Sequence, residues 1–303
     1  MTPEISIVIP VFNKERYITE TLKSVAAQTF SRYEVIVIDD GSTDDSRNLI
    51  LQAGLPNLRL VEQKNSGVSI ARNRGIELAR AQLIAFLDAD DIWYPDHLRS
   101  LWMQYQKFPD AVLYCDRFVE IDRLVADYST LKCGDGARVV SSFFLEMTMG
   151  RVAIFTSAAM AKRDILLKIS GFPPGYSRGE DLATWINLSL EGDVVVSDFV
   201  GVHYLRATGG LTSNYIKKPD IAMKNLIGIA SDLKCSQELA LELYNRISLA
   251  HSLDALLAGD RKVARFFLKN ASSTKIFRKR YIFLNILVCF PSSKILKLLI
   301  KLK

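Results

Sequence analysis

Over the first third of the chain, two rhythms of hydrophobic and polar positions alternate. "ISIVIPVF" (5–12) and "EVIVI" (34–38) are largely apolar runs rich in β-branched residues; "LIAFL" (83–87) is a further apolar run, and "LRLVE" (58–62) a mostly apolar one. Short apolar runs bounded by polar residues predict buried strands. In the intervening "NKERYITETLKSVAAQ", Tyr17, Ile18, Leu22, Val25 and Ala26 fall on one helical face, with Asn13 as the expected N-cap. "DDSRNLILQAG" and "GVSIARNRGIELARAQ" predict two further helices. Strands that are apolar throughout, alternating with helices, predict a parallel sheet covered on both faces, an α/β architecture.

The rhythm weakens after residue 110. "AVLYCD" (111–116) reads as a strand, "FFLEMTMG" and "RDILLKISG" as short helices, and "DVVVSDFVGVHYLR" as strands. "GEDLATWINLSLEG" (179–192) predicts a longer helix, with Leu182, Trp185, Ile186 and Leu190 at helical spacing. From about residue 219 the pattern is helical, in "DIAMKNLIGIASDL", "SQELALELYNRISLAHSLDALLAG" and "RKVARFFLKNA". Pro219 marks the expected boundary between an α/β domain, 1–218, and a helical region, 219–303.

A parallel sheet carries a prediction about chemistry, because ligands bind beyond the carboxyl ends of its strands. The four predicted strands run into "PVFNKE", "DDGSTDD", "QKNSGVS" and "DADDIW". Each ending is polar, glycine-bearing or acidic, so four chemically loaded loops converge on one rim. The first lacks G-x-G-x-x-G, which disfavours a dinucleotide site, and the chain has no G-x-x-x-x-G-K-[ST] phosphate loop. Nor is the acidic cluster an EF-hand: counting from Asp88, Trp93 stands at the glycine position and Arg99 at the glutamate position. What remains is a pair of carboxylates, Asp88 and Asp90, two apart where the chain leaves a strand. Hard oxygen donors in that arrangement suit Mg²⁺ or Mn²⁺ shared with substrate phosphates. Taken alone, the same acids could equally cap the helix that follows Pro95.

Composition narrows the class. With 303 residues and 49% hydrophobic positions the chain has enough apolar material for a full core. The amino terminus, "MTPEISIVIP", has neither a basic stretch nor a long apolar run, so no secretory signal is expected. Cys115, Cys133, Cys235 and Cys289 are scattered, and so are His97, His203 and His251, which speaks for a reducing compartment and against a zinc cluster.

"SIVIPVFNKERYITETLKSVAAQTF", "EVIVIDDGSTDDS", "NSGVSIARNRGIELA", "FLDADDIWYPDHL" and "GEDLATWINL" occur in that order. Their combination resembles the inverting, nucleotide-sugar-dependent family 2 glycosyltransferases of the GT-A fold, over about residues 4–205. The resemblance implies that Pro10, Val11 and Asn13 line a nucleotide pocket, that Asp39 accepts a hydrogen bond from uracil, and that Asp40 and Gly41 lie beside it. It implies that Gly67 and Arg72 sit near the base and diphosphate, that Asp88 and Ala89 face the nucleotide, and that Asp90, with a weaker contribution from Asp88, holds Mn²⁺ or Mg²⁺. Asp181 matches the family's general base, and Glu180 and Trp185 would border the acceptor. The chain departs from the pattern late in the domain. In "VHYLRATGG", Leu205 separates Tyr204 from Arg206, and Thr208 stands near where relatives often carry a histidine. A third protein ligand to the metal is therefore not expected, and Arg206 would hold the diphosphate instead. The bound cation would supply the positive charge that three clustered aspartates call for.

These implications describe a metal-dependent transferase moving a sugar from a nucleotide-sugar, a UDP-sugar by expectation, to a hydroxyl of a lipid-linked or surface-glycan acceptor. A nucleotidyltransferase, or a non-enzymatic nucleotide-sugar-binding membrane module, is the alternative.

The net charge of +6 conceals an asymmetry. Twelve of the 39 basic residues and none of the acids lie in 261–303, leaving 27 basic against 33 acidic groups before them. In 294–303, Lys294, Lys297 and Lys301 share one helical face and Ile295, Leu298, Leu299 and Leu302 the other. A basic amphipathic tail predicts an anionic membrane surface as partner, with the protein peripheral on the cytoplasmic face. Long apolar runs argue against nucleic acid, whose phosphates do not require them.

Overall fold

The computed structural model describes residues 2–121, 136–176, 178–205 and 237–289, together with Met223, Lys224, Leu226 and Gly228. Two compact units divide the chain: Met1–Ser141 with Val152–Gly209, and Ser142–Arg151 with Gly210–Lys303.

The first unit is built on a sheet that has nine strands among the described residues. Its parallel half comprises β1 (Ile5–Val11), β2 (Tyr33–Asp39), β3 (Leu58–Glu62) and β4 (Leu83–Phe86), in the order β3-β2-β1-β4. The order continues through β8 (Ala159–Lys162), β6 (Leu113–Ile121), β9 (Val194–Leu205) and β5 (Ile92–Trp93), and β7 (Arg138–Val139) joins β9. β8 runs antiparallel to β4 and β6, while β6 and β9 are parallel. "DVVVSDFVGVHYLR" thus forms one long strand.

Alternation along β1 explains why both faces are covered. Ile5, Ile7, Ile9 and Val11 point into a core closed by Ile18, Leu22 and Val25 of α1 (Ile18–Ala26), Ile50 of α2 (Ser46–Gln52) and Leu98 and Leu101 of α4 (His97–Lys107). Val8, on the opposite face, packs against Gly75 of α3 (Val68–Leu78), where a Cβ would come within 2.3 Å of the valine. Pro10 is tolerated in a central strand because β4 pairs with β1 only along Ile5–Val8.

α1 begins later than the pattern predicts. Asn13 adopts a left-handed conformation (φ 53°), and its Oδ1 accepts hydrogen bonds from Thr43, so it ties two loops together and does not cap the helix. Asp116 knits the far half of the sheet. Fully buried in β6, it accepts hydrogen bonds from His97 Nδ1 (2.8 Å), Ser100 Oγ (2.7 Å) and Gln104 Nε2 (2.7 Å) of α4 and from Ser197 Oγ of β9. α6 (Arg163–Lys168) and α7 (Glu180–Glu191) complete this unit.

The second unit is helical, with α5 (Phe143–Met149), α8 (Gln237–Leu257), α9 (Arg261–Asn270) and α10 (Arg278–Cys289). Leu249, Leu256, Ala264, Leu268, Leu284, Leu287 and Val288 form its core. Arg246 of α8 donates to the carbonyls of Met147 and Thr148 at the end of α5, satisfying acceptors that a helix terminus leaves open. The stretch 142–151, which the sequence pattern leaves inside the first domain, belongs to this unit.

Candidate active site

Parallel register brings the predicted loops to one rim. Val11 pairs with Asp39 and Asp39 with Glu62, so β1, β2 and β3 end side by side. β4 ends two residues before Asp88.

On the β2 side, Asp39 and Asp40 are both buried and do different work. Asp39 Oδ1 accepts from Ser42 N–H (3.0 Å), shaping the turn that follows. Asp40 accepts from Gln63 Nε2, Ser66 N–H and Gly67 N–H, each at 2.8 Å, and so fastens the β3–α3 loop to the β2 end. Gly41 sits at φ +79°, and a Cβ there would lie 2.9 Å from Asn65 N, so no side chain fits between the two loops. Gly67 initiates α3 at φ +92° with open space beside it. Asn13 and Val11 border this turn: Val11 C=O accepts from Asp40 N–H, and Asn13 N–H donates to Ser42 Oγ.

On the β4 side the aspartates are neutralised by the chain itself. Arg72, only 4% exposed, donates from Nη2 to Asp88 Oδ1 (2.7 Å) and from Nη1 to Glu180 Oε1 (3.2 Å). Its guanidinium lies 5.1 Å from the Phe172 ring centroid. Burial opposes its charge, but Asp88, Glu180 and Asp181 overcome that and hold the Arg72 pKa above its ordinary value. Lys14 pairs with Asp90. Asp91 is buried and takes the hydroxyl of Ser157; burial, with Asp88 and Asp90 nearby, pushes its pKa well up. Three acids can sit together because Arg72 and Lys14 each hold one and burial shifts the third toward its neutral form. Buried Ala89 contributes its carbonyl to Thr21 Oγ1 (3.0 Å), which anchors the loop to α1.

Glu180 and Asp181 open α7, where negative charge also suits the helix dipole. Burial raises the Asp181 pKa, with Asp88 adding to it and Arg72 opposing it; burial and Asp181 raise that of Glu180. The two carboxylates differ in commitment. Glu180 is held by Arg72, whereas Asp181 accepts from Leu182 N–H (2.7 Å) and has Thr156 Oγ1 at 3.5 Å.

Trp185 corrects an expectation. It is 0% exposed, packed against Phe86 (6.0 Å between ring centroids) and Phe172 (5.6 Å). It supports the platform on which Arg72 rests and has no surface to offer an acceptor. Arg206 lies outside the described residues.

Sequence reading missed Lys14 and Ser157. Lys14 had a signal, as a cation in a strand-end loop. Ser157 had none: its Oγ accepts from Asp88 N–H (3.0 Å) only because antiparallel β8 starts where β4 ends. As metal ligands, Asp88 and Asp90 fit the hard-oxygen chemistry of Mg²⁺ or Mn²⁺, since both stay partly exposed, 28% and 18% by side chain. Among the described residues no group of three or more His, Cys, Asp or Glu side chains could hold a metal, so a cation here would take further donors from a substrate or water.

Comparison with known proteins agrees with this layout. The family model "Glycosyl transferase family 2" matches residues 6–151. A putative teichuronic acid biosynthesis glycosyltransferase, TuaG, of Bacillus subtilis is 37% identical over 199 residues, 63% of this chain and 73% of the relative. An uncharacterized glycosyltransferase of Rickettsia conorii is 27% identical over 237 residues; 75% of this chain aligns, but to only 36% of that protein, so the chain spans about a third of its length. Among solved structures, S. aureus TarS 1-349 in complex with UDP-GlcNAc superposes with a TM-score of 0.71 at 20% identity, covering 88% of this chain and 81% of that one. The mannosyltransferase PcManGT of Pyrobaculum calidifontis, in complex with GDP-Man and Mn²⁺, gives 0.57 at 18% identity, covering 95% and 86%. At such identities the structures speak for the fold, while the extent of the TuaG match speaks for the family. With the five ordered motifs, the carboxyl-rim site and these matches together, the chain belongs to glycosyltransferase family 2.

Proposed function

We propose that the protein transfers a sugar from a UDP-sugar to a hydroxyl of a glycan or lipid-linked acceptor, with inversion and with the help of Mn²⁺ or Mg²⁺. The observation that carries this reading is the pair of carboxylate groups linked by Arg72: Asp88, beside Asp90 at the end of β4, and Glu180, beside Asp181 at the start of α7. One side suits a donor diphosphate and the other a reacting hydroxyl. TarS bound to UDP-GlcNAc and PcManGT bound to GDP-Man and Mn²⁺ support a nucleotide-sugar donor, and TuaG's name supports a glycan acceptor.

Each side chain has a physical task. The β2 turn, braced by Asp39, Asp40 and Gly41, would receive the base. Arg72 would hold Asp88 in place beside the donor. Lys14 would leave Asp90 when the donor arrives and find a new partner in the diphosphate. Asp88 and Asp90 would hold the metal, which supplies positive charge to the departing nucleoside diphosphate. Asp181 would take the proton from the acceptor hydroxyl. Its raised pKa brings its basicity closer to neutral pH, where a general base is most effective. Glu180, pinned by Arg72, would position that carboxylate and not itself accept the proton.

Calorimetric titration with UDP tests the donor half. Affinity should rise when Mn²⁺ is present, and Asp90→Ala should abolish the rise. Equal UDP affinity with and without metal in the wild type would remove the metal from the reading.

A further inference from the structure

The second unit turns an unexpected surface outward. On α10, the buried residues Leu284, Leu287 and Val288 define the side facing its own core. The opposite side carries Arg278, Lys279, Ile282 and Ile286, which fall within an arc of about 100° at helical spacing. Ile282 is 49% exposed and Ile286 53% exposed, and both cations are exposed. The preceding turn adds exposed Ile276 and, paired with Glu238 at 2.6 Å, Lys275. An ordinary surface helix reverses this pattern, placing its isoleucines inside and leaving charge outside.

Charge decides what covers these isoleucines. Residues 261–303 contain twelve basic residues and no acid. A second copy of the same face would bring like charges together, which opposes self-association. An anionic lipid surface satisfies both features at once: headgroups attract the cations, and the isoleucines enter the headgroup–acyl boundary. The 12 described residues of α10 are too few to span a bilayer and suit lying in its plane.

We propose that the outer stripe of α10, Arg278, Lys279, Ile282 and Ile286, is a docking face for an anionic membrane. This concerns the second unit alone and does not depend on the donor reading. Residues 294–303, the expected anchor, lie outside the described residues, whereas α10 packs on the protein with one side and leaves the other free for lipid.

Flotation of the full chain with vesicles of phosphatidylcholine alone, or of equal parts phosphatidylcholine and phosphatidylglycerol, tests the proposal. The wild type should bind the anionic vesicles and bind neutral ones more weakly. High salt should weaken anionic binding without abolishing it, since salt screens the charges and spares the apolar contribution. Ile282→Ser with Ile286→Ser should lower anionic-vesicle affinity roughly tenfold or more and leave the thermal melt unchanged, because both side chains are already half exposed. If that variant also melts early, Arg278→Glu with Lys279→Glu decides, and its loss should be larger at low salt than at high. Failure of the wild type to bind anionic vesicles would overturn the proposal. So would undiminished binding by whichever variant keeps the wild-type melt, or a concentration-dependent dimer that disappears in the isoleucine variant.

Discussion

Replacing Arg72 by methionine would show how much of the site rests on one buried cation. The change keeps an apolar stem over Phe172 and deletes the guanidinium that joins Asp88 at 2.7 Å to Glu180 at 3.2 Å. Removing one partner of a buried ion pair costs about 3–5 kcal/mol, because the remaining charge is left without compensation. Two features of the structure pull that down. The Asp88 side chain is 28% exposed, so water compensates part of its charge, and Glu180, with a pKa already raised by burial, can accept a proton and become neutral. A loss of about 2–4 kcal/mol at neutral pH follows. The pH dependence has a definite sign. A carboxylate whose folded pKa lies above its unfolded value binds extra protons in the folded state, so its contribution is present at low pH and is lost as pH rises through the folded pKa. Arg72 lowers the pKa of Glu180 and of Asp181, and its removal raises both further. The gap between wild type and variant should therefore be widest at neutral pH and narrow on acidification. Urea unfolding at a series of pH values measures this directly. A gap below about 1 kcal/mol, or one that stays constant or widens as pH falls, would refute the argument that Arg72 neutralises buried carboxylates.

Two further outcomes are expected. Asp181→Asn preserves shape and can still accept from Leu182 N–H, so donor binding should persist while steady-state transfer falls by roughly 10²–10⁴, the range for loss of a general base; Glu180→Gln should cost far less, and the reverse ranking would exchange their roles. Asp116→Ala leaves the donors on His97, Ser100, Gln104 and Ser197 without their shared acceptor in a buried site, and chemical denaturation should show a loss of about 3–5 kcal/mol, from about 1–3 per stranded group with incomplete additivity.

Which parts of this molecule were legible in the residues follows from the range of the forces involved. Strands β1–β4, β6 and β9 and helices α1–α3, α6 and α7 are written in local periodicity, since an apolar face must match the spacing of its own element, whereas the short strands β5, β7 and β8 carry too few residues to show a period. The rim position of Asp39, Asp40, Gly41 and Asp88–Asp90 followed as well, because parallel strands end on one side whatever their order. The ordered motifs then placed Arg72 and Asp181 near them. Tertiary structure decided what those residues do to one another. Asp40 and Asp39 are adjacent in sequence and look alike, yet only the fold assigns one to the β3–α3 loop and the other to its own turn. Trp185 has helical spacing either way; whether it faces a ligand or the core depends on Phe86 and Phe172, about 100 and 13 residues before it in sequence. Ser157 reaches Asp88, and Arg72 reaches Glu180 across 108 residues, through strand order and helix placement. On α10, apolar residues occur all round, so the sequence could not say which side packs inward. The core of the second unit chose Leu284, Leu287 and Val288, and that choice left Ile282 and Ile286 facing out. Periodicity fixes what a segment can bury, whereas burial of one face against a particular partner is a long-range outcome that local pattern does not encode.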